Sequence, residues 1–450
     1  MKKIYTFLTL LSFSAALLAT EARVESMGSG SDFIKDDISV FNNPATAFGF
    51  GNLLVGSLGK MTQTSSRWTR SEQWFGGWAV YPLDSSLKIG AGATVNRPFK
   101  SIQLYHVFDQ NDLFTVNNGG NRFRQDNYNP SRNIDYLEIL DMRDPIGNIY
   151  GFAGVSWKNE ITAAIGARYA GNSLDVGAEN NSSLSVKGGN LGLTYRLDNL
   201  MLEASFNYDL FSLEVSRKLR YNDTATGPPV VVTPESTQIH FSSNEGTADV
   251  MLRGLYTLSS KNTLVPLLSL NKGNMLGVNN RDLGVGMGFN RDLFKGFLWA
   301  GVKYVYHSAE YPTTIGGERI YPANDTGNAY PPGVTESSHK LVYSFGVEKK
   351  MLWDWFTLRV GGNKVFEYLT KKNKSPEYTV EEGIYERDVD AVGWGIAIGT
   401  PDDRLKFDVT FSEAFPYSNI LAGGEGGLPF GFAGGGRGAG LFFPGLGFRV

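Results

Sequence analysis

Along Leu405–Ser412 apolar and polar positions alternate without a fault. Leu405, Phe407, Val409 and Phe411 fall on one side, and Lys406, Asp408, Thr410 and Ser412 on the other. Successive side chains of a strand point to opposite faces, so this run predicts a strand with one oily and one polar face. The pattern recurs in residues 87–96, 200–209, 247–258, 298–307 and 356–363. In 200–209, for example, Leu200, Leu202, Ala204, Phe206 and Tyr208 oppose Met201, Glu203, Ser205, Asn207 and Asp209.

These runs are about ten residues long, enough for a tilted strand to cross hydrocarbon, whereas soluble strands are most often about 5–6 residues. Sixteen runs can be read between residues 48 and 450, or fourteen without a terminal pair. Tyr and Trp recur near their ends (Trp78, Tyr81, Trp157, Tyr169, Tyr195, Tyr256), where aromatic girdles would meet the two membrane interfaces.

The links between runs alternate in length. Short ones fall at 83–86, 158–160, 198–199, 259–262, 291–296, 349–354 and 400–403. Longer polar ones fall at 97–147, 171–183, 217–246, 271–281, 308–339 and 367–388. A barrel with short turns at one mouth and loops at the other must show this succession, and a soluble sandwich has no reason to. The expected fold is therefore all-β: a transmembrane antiparallel β-barrel of 14–16 strands spanning residues 48–450.

The N-terminus fits export. Lys2 and Lys3 precede the apolar stretch 4–18, and small residues at Ala19, Thr20 and Ala22 offer cleavage after Ala19 or, preferably, Ala22. Residues 1–22 are expected to be a signal peptide, and no later run approaches the ~18–20 apolar residues of a membrane helix. The expected location is the outer membrane, with its lipid as the surrounding partner.

Composition narrows the chemistry. The 450 residues are 42% hydrophobic and carry a net charge of −3, so no basic surface argues for nucleic acid. The 54 glycines and the 13% aromatic content fit strands and loops rather than helices. Without cysteine there is no disulfide, thiolate nucleophile or cysteine-bound metal. His106, His240, His307 and His339 stand apart, with no metal-ligand spacing and no nucleophile–base arrangement. Neither catalytic residues nor a metal or other cofactor are expected, and the chain does not read as an enzyme.

On the polar faces the alternation places Lys88, Arg168, Arg196, Glu203, Asp249, Arg253, Lys303, Glu348, Arg359, Lys406 and Asp408. Both signs are present in balance. One reading pairs them across a polar interior as bracing; the other makes them a lining that selects solutes or holds a plug.

Residues 23–47 do not alternate. They carry Met27–Gly28, the acidic pair Asp36–Asp37, the apolar pair Val40–Phe41 and the triplet Asn43, Pro44 and Ala45. Pro44 cannot donate to a ladder and biases Asn43 away from helix, so the chain should turn there. In these features the segment resembles the start of FadL-like outer-membrane proteins, which include hydrophobic-compound transporters and PorV-type relatives. Thr46 departs from that pattern. The resemblance implies that 23–47 folds into the lumen as a hatch, with Asp36, Asp37, Asn43, Pro44 and Ala45 as its marked positions. It also implies passive transport of small hydrophobic or amphipathic solutes or, for the PorV-type relatives, a surface platform for secreted protein partners.

Overall fold

The computed structural model describes residues 21–28, 31–57, 60–64, 67–71, 74–96, 146–175, 180–220, 236–275, 278–311, 314–315, 318–319, 334–351, 354–374, 377–387, 392–399, 405–412, 440–442 and 445–448. Residues 1–20 of the expected signal peptide and nearly all of the 97–147 link lie outside them.

Twenty strand segments make one antiparallel sheet. Four neighbouring pairs (Leu53–Ser57 with Lys60–Thr64, Arg67–Ser71 with Trp74–Pro82, Glu377–Arg387 with Val392–Gly399, Gly440–Phe442 with Gly445–Phe448) continue one another, which leaves sixteen staves. Each stave pairs with the next in chain order. Leu53–Ser57 also pairs with Gly445–Phe448, placing Leu54 opposite Phe448 and Ser57 opposite Gly445. First and last staves thus meet, and the pairings run in a ring. Closure removes the sheet edges that lipid could not solvate.

Burial is inverted relative to a water-soluble protein. Phe75, Ile89, Val155, Ile165, Leu191, Leu202, Phe206 and Leu252 are exposed on the outer face, while Glu203, Arg253, Glu348, Arg359 and Asp408 are buried within. So much exposed apolar surface is untenable in water and is what hydrocarbon requires. Along Leu200–Arg220 the outward residues are Leu202, Phe206, Tyr208 and Leu210, then Ser212 and Glu214. The oily stretch covers roughly 20–27 Å, the height of a bilayer band, and the strand then continues into water.

That continuation corrects the reading of the long links. Pairing persists to Asp175 opposite Asn181, Met275 opposite Val278, and Lys374 opposite Glu377. Links 171–183, 271–281 and 367–388 are therefore mostly strand. Above the membrane band both faces meet water, so apolar–polar alternation is no longer required and the sequence reads as loop. Ser236–Ser259 reaches 24 residues in this way. At the other end the turns are tight: Lys158 and Asn159 both take positive φ, 50° and 57°, and the Glu160 amide donates to the Trp157 carbonyl at 2.9 Å. The three-residue link 158–160 is thus a β-turn with both central residues in the left-handed region, and Trp157 pairs with Ile161 across it.

Candidate functional site

The lumen holds residues 23–28 and 31–50. After a helical turn at Glu21–Ser26, two short 3-10 helices follow, Asp37–Phe41 and Pro44–Gly49. The Asp36 carboxylate accepts from the Ser39 amide at 3.0 Å, and the Asn43 side chain accepts from the Ala45 amide at 3.2 Å. Both are N-caps, the second with Pro44 at the first helical position, where a missing N–H costs nothing. The second helix ends at Gly49 and the first strand starts at Leu53, so the non-barrel segment runs a few residues past 47.

Short helices leave carbonyls unpaired, and buried carbonyls need donors. The barrel wall supplies them. Asn190 donates to the Phe41 carbonyl at 2.9 Å, Asn207 to Asn42 at 3.3 Å, and the Tyr150 hydroxyl to Val40 at 3.5 Å. Asn190 and Asn207 are cross-strand partners, so their amides reach successive carbonyls of one turn.

Arg253 grips the preceding turn. Its Nη1 donates to the carbonyls of Ser31, Asp32 and Ile34 at 3.0, 3.2 and 3.0 Å, while Nε donates to the Glu203 carboxylate at 2.8 Å. Asn290 adds a bond to the Phe33 carbonyl at 2.8 Å, and Lys303 pairs with the Asp32 carboxylate at 2.7 Å. A third anchor lies toward the N-terminus. Glu348 accepts from Arg23 at 2.9 Å and from Arg359 at 2.6 Å, and Arg359 also reaches Asp408 at 2.5 Å. All four side chains are buried, and each charge has an opposite partner in place of the water it lost.

Apolar packing completes the seat. Phe33 stacks on Trp299 with centroids 6.1 Å apart. A Cβ on Gly288 or Gly301 would lie 2.6 or 2.5 Å from the Phe33 ring, so these wall glycines form the slot that the ring fills. Phe41 meets Trp74 and Tyr150 edge-on, at 5.6 and 5.9 Å. Gly28, at φ +75°, presses its backbone against Gly362, where a Cβ would come within 2.5 Å of the Gly362 carbonyl oxygen.

Asp36 and Asp37 are buried among these contacts. Burial pushes the Asp36 carboxyl up to about 6, against the downward pull of Arg23 and Arg253. Among the wall residues named from sequence, Arg168 pairs with Asp209 at 2.5 Å, and Asp249 shares the face of Arg253. Lys88 and Arg196 line a separate recess together with Lys35. The Lys406 side chain lies outside the described residues.

Sequence reasoning missed the inward apolar set: Trp74, Trp78, Tyr150, Phe152, Phe211, Val265, Leu267 and Trp299, all buried. Trp78 was expected in an interfacial girdle. It packs instead on Phe152 inside the lumen, at 6.4 Å. The available signal was local loss of alternation. Trp74–Pro82 and residues 264–268 are apolar on both faces, as a stave must be when lipid covers one side and packed protein the other.

No protein-family model matches the chain, and no curated protein matches it. Among solved structures it is similar to the toluene transporter TodX of Pseudomonas putida, at 12% identity over 96% of this chain and 97% of that one, with a TM-score of 0.37. It is also similar to the outer-membrane protein OmpT of Vibrio cholerae, at 11% identity over 75% and 93%, TM-score 0.31. The ferric yersiniabactin uptake receptor FyuA of Yersinia pestis matches at 9% identity over 88% and 79%, TM-score 0.31. The fold assignment rests on the strand pairings and the inverted burial, not on these likenesses.

Proposed function

We propose that the protein is an outer-membrane barrel for passive transport of small hydrophobic or amphipathic solutes, with residues 23–50 as a hatch across its lumen. The observation that carries this is how the hatch is held. Its backbone carbonyls are bonded by wall side chains (Arg253, Asn290, Asn190, Asn207) and not by a strand ladder, so it can move without breaking any stave pairing. The apolar half of the lumen around Trp74, Trp78, Tyr150 and Phe152 offers oily surface to a solute when the hatch shifts.

The test is flux of small aromatic and short-chain amphipathic solutes into liposomes carrying purified protein, with heat-modifiable gel migration to certify a folded barrel. Permeation above empty liposomes is expected. A folded barrel that passes none of them removes the transport reading.

The second reading is a platform for a secreted protein partner. The staves that rise past the oily band, such as Ser236–Ser259, favour it by presenting a tall rim to water. Recovery of one stoichiometric secreted protein from native membranes, together with absence of flux, would select this reading over transport.

A further inference from the structure

Cations in the described lumen are mostly matched by carboxylates. Arg168 has Asp209, Arg253 has Glu203, Lys303 has Asp32, and Arg23 and Arg359 share Glu348 and Asp408. One place breaks this rule. Lys35, Lys88 and Arg196 line a recess of about 350 Å³ beneath the second 3-10 helix, at the tight-turn end, where Asn159 also contributes. Glu203 is the recess's one carboxylate among the described residues, and Arg253 holds it at 2.5 Å.

We propose that this recess binds a small oxyanion group, a carboxylate or a phosphate, between Lys35, Lys88 and Arg196. The three cations come from separate elements: the hatch, the Leu87–Val95 strand and the end of Asn180–Arg196. None has an ion-pair partner within 4 Å among the described residues. The Arg196 guanidinium meets the Met201 sulfur at 3.9 Å, and the Lys35 ammonium lies over the Phe50 ring at 5.6 Å. Gly49 keeps the lysine's path open, since a Cβ there would lie 2.8 Å from the ammonium.

Burial pushes Lys35 below its ordinary value; Glu203 pulls it back, and Arg196 and Arg253 add to the lowering. An ammonium so placed gains most from an arriving anion. Thr194 and Ser156, the latter accepting from the Thr162 hydroxyl at 2.9 Å, bring hydroxyl protons that can be donated to the remaining oxygens, while Thr46 already donates to the Asn43 carbonyl at 2.8 Å. The volume is at the lower end for small-molecule sites, enough for the charged group and a small organic body. The proposal rests on this geometry and holds whether or not solute crosses the barrel.

The test is isothermal titration of the full-length protein in detergent with sodium benzoate, with inorganic phosphate, and with benzyl alcohol as the neutral counterpart. At least one anion should bind, more tightly than benzyl alcohol and more weakly as salt rises. Lys35→Met and Arg196→Met should each weaken binding by about tenfold, as for loss of one charge-assisted contact. Lys35→Arg should retain it, and every variant should keep heat-modifiable migration. Benzoate alone binding assigns the site to organic acids, and phosphate alone to phosphate groups. Binding of neither anion, equal binding of benzyl alcohol, or anion binding unchanged in Lys35→Met and Arg196→Met overturns the proposal. If flux fails but anion binding persists, only the transport reading is lost.

Discussion

Arg253 in the barrel wall donates to the carbonyl of Ile34 in the hatch at 3.0 Å, while Glu203 holds the other side of the same guanidinium. The arginine thus ties the segment inside the lumen to the barrel wall. Arg253→Met leaves the Glu203 charge unpaired and three hatch carbonyls without a donor, a defect of about 3–5 kcal/mol for a broken buried pair. Hydrogen exchange read by mass spectrometry should show residues 31–42 losing protection while strand amides keep theirs. Unchanged exchange in 31–42 would mean that the guanidinium is not what seats the hatch.

Phe33 and Gly288 form a ring-and-slot pair. Phe33→Ala empties the slot and should destabilise the seat by about 3–5 kcal/mol. Gly288→Val should unseat it by collision. The double variant Phe33→Ala/Gly288→Val should be less damaged than the sum of the two, because the new side chain enters the space that the ring left. Protease susceptibility of the hatch in folded barrels measures all three. Additive damage would place Phe33 elsewhere.

Protonation of Asp36 should tighten the hatch. Its carboxyl lies at about 6 when seated, above the ordinary 3.8, because burial penalises the charged form. The seated state therefore holds more protons than the released state between these values, and seating weakens as pH rises through that window. The full penalty is present above about 6 and absent below about 4. Asp36→Asn should remove this step from a pH series of hatch proteolysis, and a step of the same size in the variant would assign it to another group.

Ile165 is exposed on the outer face, one residue from inward Ala164 and Gly166. Ile165→Arg should destabilise the barrel in phospholipid bilayers by about 2–4 kcal/mol if the position lies near the midplane. Denaturant titration of barrels folded into vesicles measures it. An effect near zero would put that face in water.

The barrel was legible because lipid outside and polar contacts inside impose strict alternation, as in Leu200–Arg220 and Leu405–Ser412. Two things were not. Above the oily band alternation lapses while pairing continues, so Met275 and Lys374 read as loop although they are paired. And where the hatch packs, inward positions become apolar, so Trp78 and Trp299 resemble lipid-facing residues. Glu203, Arg253, Glu348, Arg359 and Asp408 were readable as inward by parity alone. That they meet one another depends on register, and that Arg253 and Glu348 meet the hatch depends on chain 219 to 325 residues away, which periodicity does not encode.

The central claim is that residues 23–50 gate the lumen, and the absence of native cysteine makes it directly testable. A Cβ on Gly288 would sit 2.9 Å from the Phe33 Cβ, and its three nearest neighbours are all atoms of the Phe33 side chain, so the pair Phe33→Cys and Gly288→Cys brings two thiols together across hatch and wall. Solute flux into liposomes is measured with this variant reduced, then oxidised, then reduced again. The expected result is flux when reduced, loss on oxidation and recovery on reduction. Equal flux in both redox states, with cross-linking verified and the barrel folded, would contradict the gate.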